Sequence, residues 1–180
     1  MFRDIQAVTR AGLHANEDAV GAGKDFLFVV DGATGLSHRN YMDPRSDARW
    51  FAGQTARLLQ ELLPDIARGH SYVLTDGGVI VGTFSFIIGD EPTYRVLLNG
   101  HWHADRPYGT IHRLASKGTA HGVARACFSF CLGIMDYVRI DTHENNHTMQ
   151  SAITGYGFRK CGNIYASNGT LRTAYDFIRP

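Results

Sequence analysis

Cysteine, net charge and long apolar runs are all scarce in this chain of 180 residues, and each shortage closes off a class of protein. The three cysteines (Cys127, Cys131 and Cys161) are odd in number and sit in apolar helix or strand contexts. No disulfide framework is expected, and a reduced, cytoplasmic compartment fits. Cys127 and Cys131 read as small hydrophobes on a core face rather than as a metal pair. A net charge of +1 leaves neither the basic footprint of a nucleic-acid binder nor an acidic tail. No apolar run has the length of a bilayer span, and no charged start followed by an apolar stretch marks a signal peptide. Two phosphate-loop patterns are also missing. No Lys-Ser or Lys-Thr pair follows a glycine loop, and no G-x-G-x-x-G occurs. Gly21-Ala-Gly-Lys-Asp25 lacks the remaining residues of a nucleotide loop and reads as a solvent loop. What is left, with 44% apolar and 19% charged residues, is an ordinary globular composition for one domain or one domain with an appendage.

Residues 110–135 carry the strongest signal: a strand, a glycine-bearing turn and an amphipathic helix in that order. A helix start has up to four unpaired N–H donors and about half a positive charge, which suits a phosphate. Glycines at 118 and 122 and the alanine at 124 leave room for close approach to the backbone. With the ATP and dinucleotide loops excluded, the segment reads as a pyrophosphate cradle of another kind, which points to a cofactor such as coenzyme A.

Along the rest of the chain, strands are expected at Asp4–Thr9 and Phe26–Val30, with loop from Gly12 to Gly23 and an irregular stretch from His38 to Arg45. Trp50, Phe51, Leu58, Leu59, Leu62 and Leu63 predict a helix over 46–63 that Pro64 stops. Tyr72–Thr75 and Val79–Ile88 flank Asp76-Gly77-Gly78, a hairpin signal. Tyr94–Leu98 is read as a further strand and Thr110–Ala115 as the strand feeding the cradle. The helix that follows places Val123, Cys127, Phe128, Cys131, Ile134 and Met135 on one face. Tyr137–Asp141 is a strand, Asn145–Thr154 a helix closed by Gly155 and Gly157, and Phe158–Tyr165 with Leu171–Ile178 a final hairpin across Asn168-Gly169. The order is that of a mixed sheet with helices on its faces.

Over about residues 57–180 the chain resembles the GNAT N-acetyltransferases. Gly82-Thr-Phe-Ser-Phe-Ile-Ile, Pro107-Tyr-Gly-Thr-Ile-His-Arg-Leu-Ala-Ser and Ile140-Asp-Thr-His-Glu-Asn-Asn-His-Thr-Met-Gln carry the likeness, continued by Gly157-Phe158 and Cys161-Gly162. The resemblance implies an α/β (α+β) fold, a mixed and mostly antiparallel sheet flanked by helices. It also implies acetyl-CoA as co-substrate and direct acetyl transfer to a small-molecule or peptide amine. A homodimer is compatible with it; nucleic acid and membrane are not expected partners. The family's cofactor loop falls on Thr119-Ala120-His121-Gly122-Val123-Ala124, with Gly122 and Ala124 matching and Thr119 and Ala120 departing from the pattern. Lys117 and Gly118 precede it, and Lys117 can supply the charge that Thr119 does not. Asn146 falls where the family has an asparagine facing the cofactor. The family's general-acid tyrosine would be position 153, which is Ile153, and Tyr156 is out of register with it.

Acetyl transfer needs an amine stripped of its proton and a polarised thioester carbonyl. A main-chain N–H near Leu114 or Ala115, where this family's strands splay, is expected to hold the carbonyl. His112 on the cofactor strand is the candidate base, with Asp141 and His143 at the carboxyl end of the next strand beside the same cleft. No metal is expected: His101-Trp102-His103 reads as a surface loop with two solvated imidazoles, or as the lining of an acceptor pocket, and Asp90 and Glu91 as residues that solvate a turn, or that attract a cationic amine.

Residues 1–55 read differently from the 56–180 domain, which lacks the family's usual first strand and helix. Asn16-Glu17-Asp18-Ala19, Phe28-Val-Val-Asp-Gly-Ala-Thr-Gly35 and Ser46-Asp-Ala-Arg-Trp-Phe51 resemble the opening of a type 2C metal-dependent Ser/Thr phosphatase. That resemblance would give Glu17, Asp31 and the Gly32 carbonyl part of a two-metal site. The phosphate-binding arginine is Leu13 here, and the later aspartates are replaced by the acetyltransferase segment. A hairpin-plus-helix segment of different origin is therefore expected at the N-terminus. An N-acetyltransferase is the leading reading. A degenerate CoA-binding or interaction protein is the alternative, and a metal-dependent phosphatase ranks behind both.

Overall fold

The structure, a computed structural model, describes residues 19–22, 27–30 and 47–180. It divides into two compact units, one ending at Gly69 and the other spanning His70–Pro180. In the first unit, β1 (Ala19–Ala22) pairs antiparallel with β2 (Leu27–Val30), and α1 (Asp47–Ala67) lies against both strands. The glycine-bearing sequence of Ala19–Ala22 predicts loop, yet the backbone at Gly21 pairs with Phe28 in the ladder. The strand expected at Asp4–Thr9, the loop at 23–25, and Glu17, Asp31 and Gly32 lie outside the described residues. Pro64 does not stop α1: the helix runs on to Ala67, and the Pro64 carbonyl still accepts the Arg68 N–H at 3.1 Å. A proline near the helix end forfeits only one intrahelical hydrogen bond.

The second unit is built on a six-stranded sheet in the order β3-β4-β5-β6-β8-β7. Its strands are β3 (Ser71–Asp76), β4 (Val79–Ile88), β5 (Gly109–Ser116), β6 (Tyr137–His143), β7 (Arg159–Tyr165) and β8 (Leu171–Ile178). All neighbours are antiparallel except β5 and β6, which are parallel and joined through α2 (Val123–Ile134). This is the mixed, mostly antiparallel sheet flanked by helices that the sequence implies. Alternation sorts the strand residues: Phe84, Phe86, Ile111, Val138, Ile140 and Tyr175 bury one face against α2 and α3 (His147–Tyr156). From α2 that core takes Cys127, Phe128, Cys131 and Leu132; Ile134, expected on this face, is 48% exposed. Cys131 and burial hold the Cys127 thiol well above its usual range, so Cys127 is a protonated core residue, and Cys131 is fully buried beside it.

Across the sheet, the segment between β4 and β5 folds over a second cluster of Tyr94, Ile164 and Ala174, packed by Leu97, Trp102 and Tyr108. No strand forms at Tyr94–Leu98. Instead Pro92–Tyr94 is a single 3₁₀ turn capped by the Glu91 carboxylate, which accepts the Thr93 N–H at 3.2 Å. Proline at the first helical position favours that turn over a strand. Leu98 makes a single bridge to Asn163 in β7. α3 starts two residues later than expected, at His147, and passes through Gly155 to end on Gly157, whose φ of 118° stops it. Among the described residues, no helix is long and apolar enough to cross a membrane.

Candidate functional site

The β5–β6 ladder lasts for three residue pairs only, Gly109 with Val138, Thr110 with Arg139 and Ile111 with Ile140, although β5 continues to Ser116 and β6 to His143. Beyond Ile111 the two strands part. A β-bulge explains the departure of β5. Thr83 pairs with Ala115 and Ser85 with His112, so Arg113 and Leu114 together oppose Phe84. Arg113 adopts φ 53°, a left-handed conformation that a non-glycine residue holds only where the surroundings impose it. The gap opens onto a cleft of about 140 Å³, lined by His112, Leu114, Asp141, Asn146, Met149 and Arg172 among others.

His112 and Asp141, both candidates from the sequence, meet at this cleft with three residues that the sequence reading did not assign to it. His112 Nε2 lies 3.2 Å from Glu91 Oε2, and its Nδ1 lies 4.0 Å from Asp141 Oδ1. Asp141 accepts the Tyr94 hydroxyl at 2.6 Å on Oδ1 and the Arg172 guanidinium at 3.1 Å on Oδ2. The hydrogen bond from His112 is the largest influence on Glu91 and, with those from Thr93, brings its carboxyl down to about 2 against the cost of burial. Burial, reinforced by the Asp141 charge, pushes the Tyr94 hydroxyl well above its usual range, so it stays a donor. Glu91 is thus no mere turn-solvating residue. Its main-chain N–H donates to Tyr108 Oη at 2.9 Å, and its carboxylate joins the 3₁₀ turn to His112. Asp90 does remain at the surface, bound to Arg95. His143 is not brought into the cluster: it is exposed, and its Nδ1 accepts the Asn145 N–H at 3.2 Å.

The cradle residues follow on β5. Leu114 is half-buried in the cleft, while Ala115 pairs with Thr83. The Lys117 N–H donates to the Val81 carbonyl at 2.8 Å, leaving its side chain exposed. Gly118, at φ 80°, donates its N–H to Ser116 Oγ at 3.1 Å. Thr119 and His121 are exposed and Ala120 half-buried. Gly122 is the N-cap of α2 at φ 77°, with no side-chain cap and no acidic residue in the first turn. The first helical hydrogen bond runs from Ala126 N–H to the Gly122 carbonyl at 2.9 Å. The N–H groups of Val123, Ala124 and Arg125 therefore face outward from the helix start. A groove of about 260 Å³ adjoins them, formed by Gly122–Arg125 with Ser151, Ala152, Gly155 and Tyr156. Asn146 caps α3, its side chain accepting the Met149 N–H at 3.2 Å. One helix thus borders both spaces: its start lines the cleft and its end lines the groove. Ile153 is fully buried in the core, and the Tyr156 hydroxyl pairs with Ser129 Oγ at 3.0 Å.

His101-Trp102-His103 also differs from the solvated loop expected. His101 is exposed, but His103 Nδ1 lies 2.8 Å from Oδ1 of the buried Asp176. Trp102 donates to the Tyr94 carbonyl at 3.1 Å, and the Arg139 guanidinium is held 4.1 Å from its ring and 3.8 Å from that of Tyr108.

No protein-family model matches the sequence. No curated protein matches it either. Among solved structures, the chain is similar to a GNAT-family acetyltransferase from Streptococcus agalactiae 2603, with 26% identity, a TM-score of 0.62, and coverage of 73% of this chain and 83% of that one. It also shares its fold with a candidate acetyltransferase from Staphylococcus aureus Mu50, at 22% identity and a TM-score of 0.53 over 69% and 82% of the two chains.

Proposed function

We propose that the protein is an acetyl-CoA-dependent N-acetyltransferase that acts on a small-molecule or peptide amine. The observation that carries this reading is the parting of β5 and β6 after Ile111, which opens a cleft onto His112 and Asp141 beside the start of α3. The fit to a pyrophosphate rests on α2: an uncapped start with no acid in its first turn, a left-handed glycine, and a groove along Gly122–Arg125. In this reading Gly122, Val123 and Ala124 offer backbone and space to the phosphates, and Lys117 adds charge from the preceding turn, with Gly118, Thr119, Ala120 and His121 completing the loop. Asn146 fixes the start of α3 at the mouth of the cleft.

Bound acetyl-CoA supplies a thioester carbonyl next to a good leaving thiolate. The chain supplies the rest. A main-chain N–H at Leu114 or Ala115, beside the bulge, would donate to the carbonyl oxygen as charge grows on it. With its Nε2–H donated to Glu91, His112 presents Nδ1 as an acceptor and takes the proton of the attacking amine. Formation of the N–C bond would be matched by breaking of the C–S bond, and the proton received by His112 would pass, directly or through solvent, to the departing sulfur, which restores neutral His112. Glu91, ionised down to about pH 2, fixes the His112 tautomer and ring orientation. Asp141 is balanced by Arg172 and serves to shape the cleft.

Ile153 and the engaged Tyr156 hydroxyl favour a second reading, a chain that binds CoA without turnover. Two measurements separate the readings. Titration calorimetry with CoA is expected to show binding below millimolar concentration, and its absence sinks both. Release of free thiol from acetyl-CoA over an amine panel is expected for the enzyme only.

A further inference from the structure

His103, Cys161 and Asp176 bring three different metal-ligating groups together away from the cleft, with their donor atoms all within 4.8 Å of one another. Their elements are far apart in sequence: His103 lies in the segment covering the sheet, Cys161 in β7 and Asp176 in β8. His103 Nδ1 stands 2.8 Å from Asp176 Oδ1 and 3.4 Å from Cys161 Sγ. One ring nitrogen therefore faces both a carboxylate and a thiol, and the single proton it can carry has two takers. We propose that His103 Nδ1, Cys161 Sγ and Asp176 Oδ1 form a binding site for a thiophilic divalent cation of the zinc class.

A carboxylate–imidazole pair alone would serve a structural role without the sulfur. The sulfur is here because of an irregularity in the sheet. Arg159 pairs with Asp176 and Lys160 with Tyr175, but Gly162 pairs with Ala174, so Cys161 is the extra residue of a bulge in β7. Bulges re-aim side chains at sheet edges. The backbone around the site is also fixed. The His101 N–H donates to the Cys161 carbonyl at 3.0 Å, and a Cβ on Gly100 would fall 1.7 Å from that same carbonyl oxygen. The covering segment is thus strapped directly onto β7, and the ligands approach on rigid elements.

Outside the three donors, the arrangement matches what a coordinating carboxylate requires. Asp176 is fully buried, and its second oxygen accepts the His103 N–H at 2.8 Å and the Tyr137 hydroxyl at 2.9 Å. Such outer contacts orient the ligating oxygen. The thiol of Cys161 is buried and also lies 3.5 Å from the Arg159 carbonyl oxygen. Nitrogen, sulfur and oxygen donors together suit zinc, for which three protein ligands leave one tetrahedral position. The exposed His101, whose ring centroid is 5.3 Å from that of His103, and water are the two candidates for it. On binding, the metal displaces the Cys161 thiol proton, and the His103 ring carries its remaining proton on Nε2. The site would clamp the covering segment to β7 and β8.

Cobalt(II) is the probe. The full chain, stripped with chelator, is expected to take up one equivalent of Co²⁺ with a thiolate-to-cobalt charge-transfer band, to release it to Zn²⁺, and to melt at a higher temperature when loaded. Cys161→Ser is expected to abolish the band, and circular dichroism checks that this variant is folded. Tyr137→Phe, which keeps all three ligands, is expected to weaken affinity by roughly 10- to 100-fold. Absence of stoichiometric uptake by the parent chain overturns the proposal, as does a charge-transfer band that persists in folded Cys161→Ser. Cys127→Ser, in the opposite core, is expected to leave uptake unchanged; loss of the band there with the fold intact would assign the metal elsewhere and equally overturn it.

Discussion

His112 shows how much a single residue's meaning depends on its partners. Alone on a strand, a histidine is a hydrogen-bonded structural residue as readily as a base. Glu91 on one nitrogen and the open cleft on the other divide its two ring atoms between holding and reacting. Replacing His112 with Ala is expected to lower kcat by roughly 10²- to 10⁴-fold, the usual contribution of a positioned base, with little change in CoA affinity. Steady-state thiol release and calorimetry together check it, and equal losses in both would recast His112 as a binding residue. Glu91 makes a second prediction, about stability. Its carboxyl sits at about 2 in the folded chain against an ordinary 4.5, because His112 donates to it. A depressed folded value contributes stability that is present above pH 4.5 and is lost as pH falls toward 2. Urea unfolding of the parent and Glu91→Gln should therefore differ by a constant amount above that window and converge at its acid end. A difference that persists unchanged to pH 2 would mean that the carboxylate is not held by His112.

At the scale of elements, α2 begins where it does because Gly122 takes a backbone conformation closed to most residues. A Cβ added there would meet nothing within 4 Å, so the cost of Gly122→Ala is conformational, about 1–2 kcal/mol, and the fold should survive. Gly169 in the β7–β8 hairpin has the same φ of 77° and the same open surroundings, which makes Gly169→Ala a matched control. Both variants should lose similar stability in thermal melts, while only Gly122→Ala, and more severely Gly122→Val, should lose CoA affinity in calorimetry. Equal CoA binding by the two alanine variants would remove the cradle from α2. The same element was legible in the sequence because its signals agree: apolar spacing, a glycine in front and a strand before it. β4 was legible for like reasons, as a long apolar and β-branched run behind a two-glycine turn. The covering segment between β4 and β5 was not. Glu91, Tyr94, Trp102 and His103 owe their roles to partners in β5, β6 and β8, and no local spacing reports a contact to Asp141 or Asp176. Nor does sequence alone show a bulge: Arg113 and Cys161 look like ordinary strand residues until their neighbours are paired.

For the molecule as a whole, every residue of the cleft and the groove lies between Glu91 and Arg172, inside the unit that runs from His70 to Pro180. That unit holds both apolar clusters of the described residues, one on each face of its sheet, and all six strands of that sheet. Separate cores are what allow a segment to fold alone. A chain beginning at His70 is therefore expected to unfold cooperatively, to bind CoA with the affinity of the full protein, and to keep whatever thiol-releasing activity the full protein has. Near-ultraviolet circular dichroism during urea titration, with calorimetry on the same sample, checks the first two expectations. Such a fragment has one physical weak point: β3 ends the sheet at one edge, with Val73 60% exposed upon it, and an open edge invites association between copies. Aggregation relieved by a lysine at Val73, with CoA binding restored, would locate the fault at that edge. A soluble, folded fragment that no longer binds CoA would instead show that the cradle at 117–124 depends on residues before His70, and the division of labour proposed for the chain would have to be redrawn.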